Sequence, residues 1–243
     1  MTIRVVFSGA AGRMGRALCP GLRAAEGIEL VAEVDVEDDL GAVARAQTAD
    51  VVVDFTTPEA AVPNARAILA ARAHGVIGTT GFSSDDLETL DAEARAAGRG
   101  ILVAPNFSLG MILLQRFADE AVAFFPRVEI VETHHEGKLD APSGTARSTA
   151  ERLVARGAAS GPGPDDPSRG LDVSGVRVHS LRLESVQARQ EVHFGGTGEG
   201  LVLRHDAYDR SCYLPGVVRA VHAIGDHVGL VSGLEPILFG SDA

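Results

Sequence analysis

Ile3-Arg4-Val5-Val6-Phe7-Ser8-Gly9-Ala10-Ala11-Gly12-Arg13-Met14-Gly15-Arg16 decides the fold. Ile3 to Phe7 is a short, apolar, β-branched run, the pattern of a buried strand. Three glycines follow at the spacing Gly-x-x-Gly-x-x-Gly, a variant of the usual Gly-x-Gly-x-x-Gly. Glycines between a strand and a helix let backbone amides approach a pyrophosphate closely. Alone, this spacing also fits any tight strand-to-helix turn. The next strand strengthens the nucleotide reading. Ile28 to Val34 ends at Asp35, about twenty residues past the glycines, where an acid holds ribose hydroxyls. Pro20-Gly21 falls inside the expected first helix, which is therefore expected to be kinked or short.

The same alternation continues outward. Glu37 to Thr48 reads as a polar helix or loop, and Asp50 to Phe55 as a third buried strand with an acid at each end. Thr56-Thr57-Pro58-Glu59 caps a helix running to about His74, with Pro63 inside it. Gly75 to Phe82 is a strand opening into a glycine-threonine loop, and Ser83-Ser84-Asp85-Asp86 caps the next helix, to about Ala97. Ile101 to Ala104 is a fifth strand, followed by Pro105-Asn106-Phe107-Ser108. Five strands alternating with helices imply a parallel sheet with helices on both faces. Ligands bind outside the carboxyl ends of such strands. Gly9 to Gly15, Asp35, Thr56-Thr57, Gly78 to Thr80 and Asn106 belong to that edge.

A second stretch concentrates the chemistry: Glu132-Thr133-His134-His135-Glu136-Gly137-Lys138-Leu139-Asp140-Ala141-Pro142-Ser143-Gly144-Thr145. Val128 to Glu132 is a strand that delivers it. Pro142 to Thr145 opens a helix over 146–156, whose first amides lack internal partners and whose dipole favours an anion. With two histidines and a lysine just before it, the stretch is read as a receptor for a small anion. The bland alternative is a polar loop ending in an ordinary helix cap. Leu109 to about Phe125 is an apolar core helix. Gly157 to Gly175 is a Gly/Pro-rich surface loop. Val176–Leu183, Gln190–Phe194 and Leu201–Asp206 are strands with no helices between them, so a mixed or antiparallel sheet is expected there. Pro215 to Val228 reads as a helix with an apolar tail, Leu230–Phe239. The fold class is α/β: a Rossmann-like parallel-sheet nucleotide domain, and a smaller α+β domain with a mixed or antiparallel sheet.

The bulk numbers exclude some classes. The chain has 243 residues, 45% hydrophobic and 23% charged, ordinary for a soluble globular protein. A formal net charge of −11 disfavours nucleic acid and anionic membrane as partners. No apolar run reaches the roughly 20 residues of a membrane span. No signal peptide pattern precedes the first strand, and Cys19 and Cys212 fit no metal or redox spacing. A cytoplasmic, reducing location is expected. No metal is expected either. His134, His135 and Asp140 could be read as ligands of a hydrolytic metal, but adjacent histidines on an extended segment point to opposite faces.

Gly9–Gly15, Val53-Asp54-Phe55-Thr56, Gly78-Thr79-Thr80-Gly81-Phe82, Ala104-Pro105-Asn106-Phe107-Ser108 and the run from His134 to Ala146 resemble dihydrodipicolinate reductases over nearly the whole chain. The last run is the most specific. The resemblance implies NADH- or NADPH-dependent reduction of 4-hydroxy-tetrahydrodipicolinate in lysine and diaminopimelate synthesis. It implies a nucleotide domain over 1–105 and 211–243, a substrate and oligomerisation domain over 106–210, and a homotetramer joined through the central sheets. It implies that Gly9, Ala10, Ala11, Gly12, Arg13, Met14, Gly78, Thr79, Thr80, Ala104, Pro105, Asn106 and Phe107 hold the cofactor. His134 and Lys138 become the acid–base pair, and His135, Ser143, Gly144 and Thr145 hold the dicarboxylate substrate. The segment 184–189 departs from the family's pattern, with Arg189 where a histidine is expected.

The chemistry fits the residues independently. Two carboxylates call for cations and helix amides. A proton must reach the atom that becomes electron rich, and a histidine supplies it near neutral pH. Asp35 favours free ribose hydroxyls over a 2′-phosphate, and Val36-Glu37 offers no arginine. Arg13 and Arg16 compensate in part, so both cofactors are expected to work, with NADH at least as good. The central strands, too few to cover both faces of their sheet, suggest an uncovered apolar face and hence the tetramer contact. Two domains joined near Asn106 and Arg210 are expected to hinge. Two rival readings remain: an amino-acid dehydrogenase of similar build, with no reason for the His-His-Lys loop, and a redox sensor with no need of an acid–base set.

Overall fold

A computed structural model of the chain describes residues 2–164 and 166–240. Met1, Asp165 of the expected 157–175 loop and 241–243 of the expected nucleotide domain lie outside the described residues. The chain forms two compact units. Unit 1 runs to Leu109 and resumes at Arg210, and unit 2 is Gly110–Asp209.

Unit 1 is built from β1 (Ile3–Ser8), α1 (Arg13–Ala24), β2 (Ile28–Val34), α2 (Leu40–Ala46), β3 (Val51–Asp54), α3 (Pro58–Ala70), β4 (His74–Ile77), α4 (Ser84–Ala97) and β5 (Gly100–Val103). All its strand pairings are parallel. Their order puts β2 and β3 on either side of β1, so the chain reverses direction across the sheet at β1. The loop leaving β1 therefore sits at a topological switch point, where such sheets bind ligands. Alternation along the strands supplies both faces. Val6, Val52, Ile77 and Ile101 pack with Leu40, Ala65, Ile68 and Leu90 of α2, α3 and α4 in one apolar cluster. Ser83 caps α4 with a reciprocal Ser83–Asp86 capping box, and left-handed Gly98 ends it.

Three expectations for this unit are corrected. α1 is not short: it runs 12 residues through Pro20, with Leu18, Cys19 and Leu22 buried on either side of the proline. Core packing outweighs the one lost backbone bond. α3 stops at Ala70, and His74 starts β4 instead, its Nδ1 accepting from Gly100 N at 2.9 Å. The apolar C-terminal tail contains a sixth strand.

Unit 2 holds α5 (Leu109–Val122, its first residue in unit 1), β6 (Arg127–His134), α6 (Gly144–Ala155), β7 (Leu171–Val173), β8 (Val176–Arg182), β9 (Ala188–Gly196) and β10 (Glu199–Ala207). The mixed sheet runs β10-β9-β6-β8-β7, with β6 and β8 parallel and the other neighbours antiparallel. The expected loop before Gly175 thus contributes the short strand β7 and a 3-10 turn at Pro167–Arg169. One face of the sheet, with Val128, Ile130, Val178 and Val192, packs on Met111, Leu114, Ala150 and Leu153 of α5 and α6. The chain returns to unit 1 through α7 (Leu214–Ala223), β11 (Gly229–Ser232) beside β5, and α8 (Glu235–Phe239).

The uncovered face of the unit 2 sheet is not wholly apolar, as the sequence suggested: exposed Leu181 and Val202 stand there among charged residues. Glu129 pairs with His179 at 2.8 Å and with Arg169 at 2.5 Å. Asp206 accepts from Arg189 Nε at 2.6 Å and Arg204 Nε at 2.7 Å. Arg189, the residue that departs from the family pattern, is thus tied to β10. Polar residues at alternate strand positions here meet partners on neighbouring strands.

These pairings give a pH dependence. Arg204, then Arg189, holds the Asp206 carboxyl down at about 2. An unfolded aspartate titrates near ~3.9. The stabilisation is therefore complete above ~4 and disappears as pH falls towards 2. Asp206→Asn is expected to cost about 1 kcal/mol at pH 7, the scale of a partly solvated charged hydrogen bond. The thermal midpoints of variant and wild type should converge as pH drops to 2; a gap that stays constant would contradict this account.

Candidate active site

In unit 1 the carboxyl edge of the sheet is shaped by glycine. Gly9 sits at φ +85°, and a Cβ there would lie 2.4 Å from the Phe55 carbonyl oxygen; one on Gly15 would lie 2.2 Å from the Ala10 carbonyl oxygen. Only glycine lets this loop lie so close to β3 and to its own helix. Gly12 is the N-cap of α1, and no side chain caps the helix there. Its first amides, starting at Arg13 and Met14, therefore take no side-chain cap, the setting that favours an anion. Ala10 is half-buried, and Ala11 is exposed. Asp35, at the end of β2, accepts from Ala11 N at 2.6 Å, so the acid and the glycine loop are in direct contact.

Asp54 ties the other loops of this edge together. It is fully buried at the end of β3 and accepts from Thr79 Oγ1 at 2.8 Å, Asn64 Nδ2 at 2.9 Å and Thr56 Oγ1 at 3.1 Å. Thr79 Oγ1 in turn accepts from Thr56 N at 2.8 Å. Burial raises the Asp54 pKa, and the hydrogen bonds from Thr79, Ser8, Asn64 and Thr56 pull against that rise. Thr79 is therefore a buried strut, whereas Thr80 is exposed. Gly78 lies under the Phe55 ring, 2.0 Å from where a Cβ would stand. Ala104 and Phe107 are buried, Phe107 against Phe55 with ring centroids 5.4 Å apart; Pro105 is exposed. Asn106 Oδ1 accepts from Ser108 N at 2.8 Å and shapes the turn leaving β5.

In unit 2, β6 ends at His134. Glu132 and His134 share a face because side chains alternate along a strand, and His134 Nδ1 bonds to the Glu132 carboxylate. Glu132 is fully buried, and its other oxygen accepts from Arg182 Nη1 at 3.0 Å. Arg182 stands beside His134 on β8. Its guanidinium also reaches the Lys138 carbonyl from Nε at 3.3 Å and the Asp140 carbonyl from Nη2 at 2.6 Å. One side chain thus joins the strand end to the loop carrying Lys138. Lys138 donates to Asp140 Oδ1 at 2.7 Å, and that contact leads the lowering of the Asp140 pKa. Lys138 N bonds His135 O at 3.1 Å, closing the turn between them. Ser143 is buried and spends its hydroxyl capping α6 at Ala146 N, 3.2 Å away. The Thr145 carbonyl accepts from Thr149 Oγ1 at 2.8 Å, and Gly144 opens on space. The helix start expected at residue 146 falls at Gly144.

A cleft of about 690 Å³ lies nearby, lined by Pro142, Asp166, Arg177 and Ser180 among others, but it includes neither His134 nor Lys138. The residue types that recognise a dicarboxylate are on the loop, so the loop is the candidate site. Among the described residues, no group of three or more His, Cys, Asp or Glu could hold a metal, and no helix is long and apolar enough to cross a membrane. Sequence reading named neither Asp54 nor Glu132 nor Arg182 as a site residue. Asp54 left a trace, an acid ending an all-valine strand; Arg182 left none, because its partners lie about fifty residues earlier.

The description "Dihydrodipicolinate reductase, N-terminus" matches residues 3–107, and "Dihydrodipicolinate reductase, C-terminus" matches 110–238. The chain belongs to the dihydrodipicolinate reductase family. It is 49% identical to a 4-hydroxy-tetrahydrodipicolinate reductase of Beutenbergia cavernae, over 98% of this chain and 99% of the relative. It is 47% identical to the one of Nocardia farcinica, with the same coverage. Dipicolinate-bound dihydrodipicolinate reductase from Paenisporosarcina sp. TG-14 superposes with a TM-score of 0.89 at 35% identity, over 98% of this chain and 100% of that one. An amine dehydrogenase from Mycobacterium smegmatis shares the fold, at 12% identity and a TM-score of 0.67.

Proposed function

We infer that the chain is an NAD(P)H-dependent oxidoreductase that reduces 4-hydroxy-tetrahydrodipicolinate to tetrahydrodipicolinate in lysine and diaminopimelate synthesis. The observation that carries this reading is the cationic loop of unit 2, His134 to Lys138 running into the N-terminus of α6, in a chain matching both halves of the family. An amino-acid dehydrogenase shares the fold but has no use for that loop.

The cofactor fits unit 1. The uncapped start of α1 would take the pyrophosphate, with the glycine loop from Gly9 to Met14 lying against it. Asp35 would hold ribose hydroxyls, and Gly78, Thr79, Thr80 and 104–107 border the same edge. When bound, NAD(P)H supplies the hydride. In unit 2, the amides of Gly144 and Thr145 hold one substrate carboxylate and Lys138 the other, displacing Asp140. Ser143 acts by fixing the start of α6, and His135, on the same loop, helps hold the substrate. The reaction takes up one hydride and one proton and releases water. His134, with Nδ1 engaged by Glu132, offers Nε2 as the proton donor, and Lys138 supports the charge that develops. A cytoplasmic setting suits the free thiols Cys19 and Cys212.

NADH oxidation coupled to synthase-generated substrate tests the function. Lys138→Ala and His134→Ala are each expected to lower kcat about 10²–10⁴-fold, with a less than additive double variant and little change in NADH KM. Unchanged kcat would remove the residue from the mechanism. NADH should serve at least as well as NADPH; a preference for NADPH of about 100-fold in kcat/KM would contradict the role given to Asp35.

The enzyme is proposed to assemble as a homotetramer through the unit 2 sheet. That sheet leaves one face without helices and ends in the long edge strand β10, which a second copy could cover. Light scattering at micromolar concentration should give four times the 25.3 kDa chain mass; a monomer would rule this out.

A further inference from the structure

Along β6, Val128 and Ile130 fill the core face, and the next position on that face is Glu132, with no exposure at all. An apolar residue would continue the core at no electrostatic cost. Replacing a buried ion pair by packed apolar residues is often neutral or stabilising. The Glu132–Arg182 pair is therefore poorly explained by stability. What it touches explains it better. One carboxylate oxygen takes His134 Nδ1, and the other takes Arg182 Nη1 at 3.0 Å. The same guanidinium holds the Lys138 and Asp140 carbonyls. The charged groups facing the His134 ring are thus Glu132 from its own strand and Arg182 from β8; on β9 its register partner is Ala188, and Arg189 there is engaged by Asp206. Lys138 and Asp140 on the following loop pair with each other.

We propose that Glu132 is the positioning residue of the proton donor and that Arg182 sets it. Glu132 fixes the His134 ring with Nδ1–H pointing inward and Nε2 available to the substrate. Arg182 holds the second Glu132 oxygen in place and ties the Lys138 loop to the same anchor, so donor and carboxylate cation move as one piece. Burial alone would weaken the acidity of Glu132, but the donors around it, His134 foremost, hold its pKa below the usual value. The inference rests on the reading of His134 as the proton donor.

The two partners carry opposite charge, so they make opposite predictions. A donor imidazole works protonated, and activity falls as pH rises past its titration. Glu132→Gln removes a nearby anion, disfavours the protonated ring and should move that falling limb to lower pH. Its kcat should drop roughly 10²-fold, between the losses seen for outer-shell partners of His ligands and for the buried Asp of a serine-protease triad. Glu132→Asp, which keeps the charge, should leave the limb near its wild-type position. Arg182→Met removes a cation and should move the limb to higher pH, with a raised KM for the dicarboxylate as the loop carbonyls are released. NADH KM should stay within about twofold throughout, since unit 1 is untouched. The measurement is kcat against pH for the full-length enzyme with synthase-generated substrate. Limbs that stay put, or that shift in the same direction, overturn the proposal. If Glu132→Gln does not fold, Arg182→Met decides: an unmoved limb overturns it and an upward shift supports it. His134→Gln separates this from the parent reading. If it keeps wild-type kcat, the donor assignment itself fails; if it loses activity while the two limbs do not separate, only the role of Glu132 and Arg182 fails.

Discussion

A carboxylate taken out of water must find donors or give up its charge, and both units are organised around one that found them. Asp54 and Glu132 each stand at the carboxyl end of a strand, fully buried. Asp54 gathers Thr56, Asn64 and Thr79, which carry loops at the carboxyl edge of unit 1. Glu132 gathers His134 and Arg182, and through Arg182 the loop of Lys138. Each acid joins separate loops into one shared frame, because every donor that leaves would strand a buried polar oxygen. Removing one partner of such a pair costs far more than the pair itself is worth. That asymmetry holds the site in place.

The consequence for catalysis is preorganisation. A proton donor is useful only in the right tautomer and direction, and a helix N-terminus binds a carboxylate only if its first turn is fixed. Ser143 uses its hydroxyl on Ala146 N, and Thr149 bonds the Thr145 carbonyl one turn later. Gln115 and Gln190 both donate to Thr149 at 2.9 Å, tying α6 to α5 and β9. The groups proposed to hold the substrate therefore rest on buried side chains.

Much of this was legible in the sequence. Valine runs with glycine endings marked the strands of unit 1, and the glycine loop marked the switch point, because local chemistry dictates both. The run from His134 to Thr145 was legible because its residue types are costly and rarely needed together. What stayed hidden depended on distant partners. β11 was absorbed into an apolar tail, since a four-residue strand beside β5 has no periodicity of its own. α1 runs past Pro20 because Leu18 and Leu22 are anchored in the core. The open sheet face was read as apolar because alternation shows which residues share a face, not that Arg189 meets Asp206 there. Arg182 looked like one arginine among many until β8 was placed beside β6.

The central claim is that the loop from His134 to Thr145 is the dicarboxylate receptor. A crystal structure of the enzyme with NADH and dipicolinate tests it most directly. The account predicts one carboxylate on the Gly144 and Thr145 amides, the other on Lys138 Nζ with Asp140 displaced, and His134 Nε2 turned to the ligand ring while Nδ1 stays on Glu132. Dipicolinate seated instead in the cleft lined by Pro142, Asp166 and Arg177, with the Lys138–Asp140 pair intact, would contradict it.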